Sequence, residues 1–512
     1  MEPTLGKQAL NVAQASAPLN SLVELFGTLN DQNIAYCHWK SNCNLDRSLG
    51  GLTDLDLLIH PDHAQQFQRI LDQYDVKRIV APDGQGYPAI EDYLGFDPGT
   101  GRLFHLHVHY ELVLGEQFVK NYRLPLENAF LCDPLLYKGL VKIPCPELEL
   151  IVLAVRALLK YRDRDAVKDI LTIRTPGIPG ATRHEFACLL EQISLDSVAN
   201  ILRTQVDCVS PEIVLDLLTC IQRTPRAGHR LYRLRQQLRQ ELIPYQRHSR
   251  RQAATQYFRG ILHHQLVLFP SFSSRKTPAS GGQVIALIGA DGAGKSTVIE
   301  ELRRWLSWKL QVRLQYMGSQ QPSDLSRLAR ACMRAVGKTD RWWSSNWGGR
   351  SITGKLLHQL YRLSRNLYHL SVGRDRYRRS VAGRQLADHG VTVICDRYPL
   401  DAVFREMEGR PMDGPQIAAE TGMAMGRVAR LLSDWEQRIY QRIIPPDHIF
   451  VLHVSPEVSL QRKPDHDRTM VSAKSRALAQ MDEGELPITR IDAEQPLEDV
   501  VRQVKTGVWN LL

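Results

Sequence analysis

Apolar and polar residues follow three different patterns along the chain, and each predicts its own architecture. Between residues 20 and 145, strand-like and helix-like runs take turns. Leu103-Phe-His-Leu-His-Val-His-Tyr-Glu-Leu112 has period two, which puts His105, His107, His109 and Glu111 on one strand face. From Leu148 to about Leu268 apolar residues recur every three or four positions, so this stretch is expected to be helical. Pro270 to Gly282 is rich in Ser, Pro and Gly and has no period, which marks a linker. After it come unbroken apolar runs, Val284-Ile-Ala-Leu-Ile288 first among them, that read as buried parallel strands separated by helical segments. The expected organisation is an α+β domain at 20–145, a helical region at 146–268, a linker at 269–282 and an α/β domain at 283–512. In the last, helices should cover both faces of a parallel sheet.

The run at Val284 leads straight into Gly289-Ala-Asp-Gly-Ala-Gly-Lys-Ser-Thr297. Val298, Leu302, Trp305 and Leu306 then follow at helical spacing. Strand, glycine-rich loop and helix form the setting of a phosphate-binding loop. Gly289, Gly292 and Gly294, with Asp291 and Ala293 between them, let main-chain N–H groups point inward at a polyphosphate. The helix N-terminus at Lys295, Ser296 and Thr297 adds partial positive charge there. Lys295 is placed to reach the β- and γ-phosphates of ATP, and the Ser296 hydroxyl to ligate Mg²⁺.

Composition sets the bounds. At 512 residues the chain exceeds one hydrophobic core. Hydrophobic content of 43% with 23% charged residues is that of an ordinary globular protein, and no run approaches the roughly 18 apolar residues of a membrane span. Met1 to Lys7 lacks a basic start and an apolar stretch, so no secretory leader is expected. Nine scattered cysteines without a CxxC pair are expected to be reduced thiols of a cytoplasmic protein. A net charge of +10 favours anionic partners.

Three further segments accompany the loop. Val391-Thr-Val-Ile-Cys-Asp-Arg-Tyr398 is an apolar strand ending in Asp396-Arg397, Pro446 to Val454 is another, and Ile488-Thr-Arg-Ile-Asp492 precedes a last helix. This order resembles thymidylate kinase and its nucleoside-monophosphate-kinase relatives over about 283–512. Its carriers are the loop at 291–297, the Asp-Arg-Tyr strand end at 396–398, the Pro-Asp strand start, the Leu-x-Arg entry at 460–462 and the closing Ile-Asp-Ala. Asp396, at the carboxyl end of a strand beside the loop strand, is placed to hold Mg²⁺, and Arg397 to clamp an acceptor phosphate. The resemblance implies that Asp291 faces the acceptor. It also gives Arg462 and Arg468, with Lys463 and Lys474, a lid that brings cations to the transferring group.

The region between the loop helix and Asp396 departs from the family. It is long, basic and aromatic, with Arg341-Trp-Trp-Ser-Ser-Asn-Trp-Gly-Gly-Arg350 and an Arg-rich stretch from Lys355 to Arg384. Its tryptophans suit base stacking, a membrane interface or simple packing. Thymidylate as acceptor is therefore the family's label, and a sugar or lipid-linked acceptor stays open.

The amino-terminal part carries Gly50-Gly-Leu-Thr-Asp-Leu-Asp-Leu-Leu-Ile59. It resembles the polymerase-β-like nucleotidyltransferase fold in its Gly-Gly and Asp-x-Asp spacing. Asp54 and Asp56 face the same way on a strand, the geometry for holding a pair of Mg²⁺ ions, and Lys40 and Ser41 could touch phosphates nearby. The third carboxylate that fold uses is not evident: His105, His107 and His109 stand in its place and suit a transition-metal site or a polar sheet face equally. Arg156 to Asp165 could supply further cations. Arg230, Arg233, Arg235, Arg239, Arg247, Arg250 and Arg251 fit an RNA-binding or membrane-surface helix, or a solvated face. The function expected is an ATP-dependent, Mg²⁺-requiring phosphotransferase of thymidylate-kinase type. The alternatives are nucleotidyl transfer by the amino-terminal domain to a sugar, protein or nucleic acid, and a nucleotide-gated regulatory protein.

Overall fold

Strands β1 (Tyr36–His38), β2 (Leu55–Ile59), β3 (Lys77–Val80), β4 (Ile90–Asp97) and β5 (Arg102–His109) lie side by side in the order β1-β2-β5-β4-β3. The pair β2–β5 is parallel and the others are antiparallel, and two small antiparallel pairs follow in the chain, β6 (Leu112–Leu114) with β7 (Tyr122–Leu124) and β8 (Leu135–Tyr137) with β9 (Val141–Ile143). Period-two patterning decides which residues they bury. Leu55, Leu57, Ile59, Phe104, Leu106 and Val108 pack on helices Asn20–Asp31 and Ala64–Gln73. Asp56 and the histidines of β5 consequently occupy the opposite face. In this computed structural model the described residues are 17–82, 85–116, 118–170, 178–223, 228–266, 275–347, 351–399, 411–412, 426–464, 468–479 and 487–512. They form two compact units, Met1–Lys276 and Thr277–Leu512. Residues 269–274 of the expected linker lie outside the described residues.

The helical stretch belongs to the first unit's core. Helix Pro146–Lys160 buries Leu150, Ile151, Leu153, Ala154 and Leu158 in a cluster that also takes in Trp39, Leu58 of β2, Phe186, Leu217 and Leu234. Buried Glu149 on this helix accepts hydrogen bonds from the backbone N (2.9 Å) and Nδ2 (2.7 Å) of Asn42, fixing the turn that follows β1. Several of the basic residues further on are neutralised inside the unit. Arg235 is buried and pairs with Glu116 (3.1 Å) and Asp163, Arg239 pairs with Glu116, and Arg230 lies 3.3 Å from Asp216.

The second unit opens with the two-residue strand β10 (Thr277–Pro278). It then builds a parallel sheet from β11 (Val284–Gly289), β12 (Val312–Tyr316), β13 (Thr392–Asp396), β14 (His448–His453) and β15 (Ile488–Asp492), in the order β12-β13-β11-β14-β15. Every residue of β11 is buried, as expected for the central strand of such a sheet. Asp447, the acid of the Pro-Asp strand start, accepts from the Val284 backbone N (2.7 Å) and from Arg384 (2.9 and 3.1 Å), tying the entries of β11 and β14 together. The basic aromatic region is a pair of long packed helices, Asp324–Trp347 and Ile352–Asp388. Its tryptophans divide: Trp343 donates from Nε1 to the capping Ser351 hydroxyl (3.2 Å), whereas Trp342 and Trp347 are exposed. Among the described residues no helix is long and apolar enough to cross a membrane. All nine cysteines are free thiols.

One position in the sheet has no room for a side chain. A Cβ on Gly289 would lie 2.7 Å from the Leu452 carbonyl oxygen of β14. Gly289→Ala must therefore push two hydrogen-bonded strands apart. We expect urea unfolding to show a loss of about 1–3 kcal/mol, the usual size of an overpacking defect.

Candidate functional site

The loop between β11 and helix Lys295–Leu306 closes around its own lysine. Gly292 and Gly294 adopt φ of +90° and +83°, values that L side chains rarely adopt. Gly294 is also the residue from which the helix starts. Lys295 is only 8% exposed, and its Nζ donates to the carbonyls of Gly289 (2.8 Å) and Ala290 (2.7 Å). Burial pushes its pKa down to about 8, with Arg397 and Lys474 adding repulsion that Asp291 and Asp396 partly offset. Ala293 is buried, while Ser296 and Thr297 are exposed on the first helical turn.

Asp396 ends β13 directly beside this loop, in register with Leu287 of β11. Its Oδ1 is buried and has no hydrogen-bond partner. A buried carboxylate oxygen without a donor is costly unless a cation completes it. With the Ser296 hydroxyl, it gives the oxygen donors that suit Mg²⁺. Arg397 follows in the left-handed region (φ +65°), its N–H bonded to Leu287 O at 3.0 Å. A non-glycine residue holds that backbone shape only when its surroundings impose it.

Asp291 collects the cations. Lys474 donates to its carboxylate, and Arg397 Nη2 lies 3.7 Å away. Burial would raise the Asp291 pKa, but the Lys474 hydrogen bond and charge outweigh it and hold the group ionised. Of the expected lid residues, Arg462 donates to Ala493 O (3.0 Å) and Gly292 O (3.4 Å), so it braces the loop. Arg468 stands exposed at the head of helix Arg468–Ala479, and Lys463 is exposed as well. Sequence reasoning missed Ser459, whose hydroxyl donates to the Asp291 carbonyl from a helix 168 residues away. Nothing local in the sequence marks it.

In the first unit, Asp56 on β2 pairs with Lys40 (2.7 Å). Asp54, just before that strand, comes within 3.1 Å of His105 Nδ1. The expected metal pair is thus drawn toward different partners. Asp56 instead shares a small group with His107 and His109, whose ligand atoms all lie within 4.8 Å of one another. Glu111 falls beyond β5 and pairs with Arg123 (3.2 Å). A further carboxylate that meets the histidines is Asp92 on β4, opposite His107 in register. It bonds His107 Nδ1 (2.7 Å) and lies 3.0 Å from His105 Nε2 and 2.5 Å from Lys276. Burial opposes its charge, yet the two histidines and Lys276 hold it far below the usual carboxylate range. The clue was available: three same-face histidines call for an acid on the neighbouring strand.

No protein-family model matches the chain. It is 29% identical over 234 residues to the uncharacterized ATP-binding protein YghR of Escherichia coli (strain K12), covering 44% of this chain and 86% of that protein. To probable thymidylate kinase 2 of Saccharolobus solfataricus it is 26% identical over 182 residues, 35% of this chain and 63% of that one. A deoxyadenosine kinase structure from M. mycoides with bound dATP covers 44% of this chain and 98% of its own, at 12% identity and a TM-score of 0.28, too loose a likeness to compare sites. The chain is P-loop kinase-like over part of its length.

Proposed function

We propose that the second unit is an ATP-dependent, Mg²⁺-requiring phosphotransferase of thymidylate-kinase type. It moves the γ-phosphoryl group of ATP to a nucleoside monophosphate or a related phosphorylated acceptor. The observation that carries this reading is Lys295, an ammonium buried at a helix N-terminus and held on two loop carbonyls from which a triphosphate can draw it. The names of the relatives, an ATP-binding protein and a probable thymidylate kinase, point the same way.

The residues divide the work by charge. Main-chain N–H groups of the loop and the helix N-terminus take the β-phosphate, and Lys295 moves onto the β- and γ-oxygens. Asp396 and Ser296 are the residues that would hold Mg²⁺, which when bound neutralises charge on those oxygens. Arg397 and Lys474, parked on Asp291, are the cations available to an incoming acceptor phosphate. An oxygen of that acceptor attacks the γ-phosphorus, the bond to the β–γ bridging oxygen breaks, and ADP leaves. A phosphate monoester is largely dianionic at neutral pH, its second pKa being about 6, so the attack needs no strong general base. Exposed Arg233, Arg250 and Arg251 carry the proposal of an anionic partner, and a cytoplasmic setting belongs to the same reading.

Purified full-length protein, given γ-labelled or α-labelled ATP with a panel of nucleoside monophosphates and sugar phosphates, tests this. Label should pass to an acceptor from γ-ATP, with the α label remaining in ADP. Transfer of the α label alone would replace the proposal with nucleotidyl transfer. Binding of ATP without either transfer would make the protein a nucleotide-gated binder.

A further inference from the structure

A cavity of about 80 Å³ in the first unit is lined by Trp39, Lys40, His109, Lys120, Arg156 and Lys160, together with a short apolar segment, and by no acid. One water requires roughly 10–15 Å³ of such space. The cavity therefore takes about five to eight water-sized groups, room enough for a phosphoryl group with its oxygens.

The polar side chains of its lining are mostly donors. Lys40 has Asp56 as a partner at 2.7 Å. Among the described residues, Lys120, Arg156 and Lys160 have no carboxylate within ion-pair distance. Lys120 lies over the Tyr87 ring (4.5 Å) and Arg156 over Trp39 (5.8 Å). Two neutral groups tell the same story. The indole of Trp39, 1% exposed, has a buried Nε1 with no partner, and an indole N–H can only donate. His109, also 1% exposed, has no hydrogen-bond partner at either ring nitrogen, and its Nε2 stands 4.0 Å from Asp56. Leaving such donors unmatched in a small, partly buried space is costly, and an oxyanion answers the Trp39 indole, the one N–H of the neutral His109 ring and the cations together.

Size and charge narrow the ligand. Four cations around one small cavity exceed what a single carboxylate neutralises and suit a dianion. They also oppose a bare metal ion at the neighbouring Asp56, His107 and His109. Burial, with the repulsion of Lys40 and Lys276, lowers the pKa of Lys120 to about 8 against the opposing pull of Asp56 and Asp92.

We propose that this cavity binds the terminal phosphoryl group of a small phosphorylated molecule, at a site separate from the glycine-rich loop. The site needs neither Asp54 nor the loop lysine, so it stands independently of the phosphotransferase reading.

The test uses the full chain carrying Lys295→Ala, which silences the loop, with inorganic phosphate as the probe at constant ionic strength. Calorimetry should show one saturable site. Lys120→Gln and Arg156→Gln should each weaken it about tenfold or more, the effect of losing one charge-assisted hydrogen bond. Arg156→Lys should recover part of the loss. In the absence of phosphate both neutral variants should melt at or above the parent temperature, because a repulsive charge has gone, while the phosphate-induced rise in Tm disappears. Ribose 5-phosphate and AMP, run in parallel, distinguish a sugar phosphate from a nucleotide, and binding of either that is tighter than that of inorganic phosphate and is lost in Lys120→Gln and Arg156→Gln supports the site. Unchanged phosphate affinity in both variants overturns it. So does tighter, Lys120-dependent binding of an oligonucleotide lacking a terminal phosphate.

Discussion

Replacing Lys295 with alanine is expected to slow ATP-dependent phosphotransfer about a thousandfold without unfolding the chain. Removing one preorganised charge or donor from a transferring group commonly costs about 10²–10³ in rate, and a cation on a γ-phosphoryl sits at the upper end of that range or above it. The fold should tolerate the change. The ammonium touches the main-chain carbonyls of Gly289 and Ala290, and its removal also relieves a buried charge. Steady-state kinetics with a thermal melt checks both halves. A variant that keeps its activity removes Lys295 from the reaction.

The same residue sets a pH dependence with two opposite signs. Burial brings its pKa down to about 8 in the free protein, so its charge is present below that pH and lost above it. kcat/KM for ATP, which reports the free enzyme, should fall about tenfold per unit above pH 8, while kcat holds further because bound phosphates restore the ammonium. Stability moves the other way. The folded pKa lies below the ordinary 10.5, so between about 8 and 10.5 the unfolded chain carries more protons and the ligand-free protein gains stability as pH rises.

What could be read in advance follows from how local each signal is. The strand, loop and helix from Val284 to Leu306 are a contiguous pattern whose glycine spacing has one physical use. Lys295 and Ser296 were therefore legible by position alone, and Asp396 by its place at the end of a second apolar strand. Asp291 was legible as a loop residue, but its pairing with Lys474 spans 183 residues and depends on helix Arg468–Ala479 folding back. Arg462 looked like a lid cation and is a brace on main-chain carbonyls, a difference of orientation that no spacing rule encodes. In the first unit the period-two histidines were plain, whereas Asp92 depended on which strand would pair with β5 and in what register. Arg235 and Arg239, basic residues that suggested an RNA-binding or membrane-surface helix, turn inward to Glu116 because that acid is brought beside their helix only by the tertiary fold.

Asp396→Asn should cost about 10²–10³ in rate and, unlike Lys295→Ala, should show it chiefly as a changed demand for magnesium. The substitution keeps the shape of the side chain and removes its charge, so the strand β13 and its register with Leu287 are preserved. What changes is the buried Oδ1, which lacks a protein donor and is suited to a cation with oxygen ligands. The concentration of Mg²⁺ giving half-maximal activity should rise at least tenfold, with part of the lost rate returning at high Mg²⁺, whereas added metal should leave the Lys295 variant inactive. The ligand-free protein should keep its stability, because the half-buried side chain holds no hydrogen bond at Oδ1 for the substitution to break. Equal magnesium dependence in the Asn variant and the parent would reduce Asp396 to a strand-end residue and leave Ser296 without its proposed co-ligand.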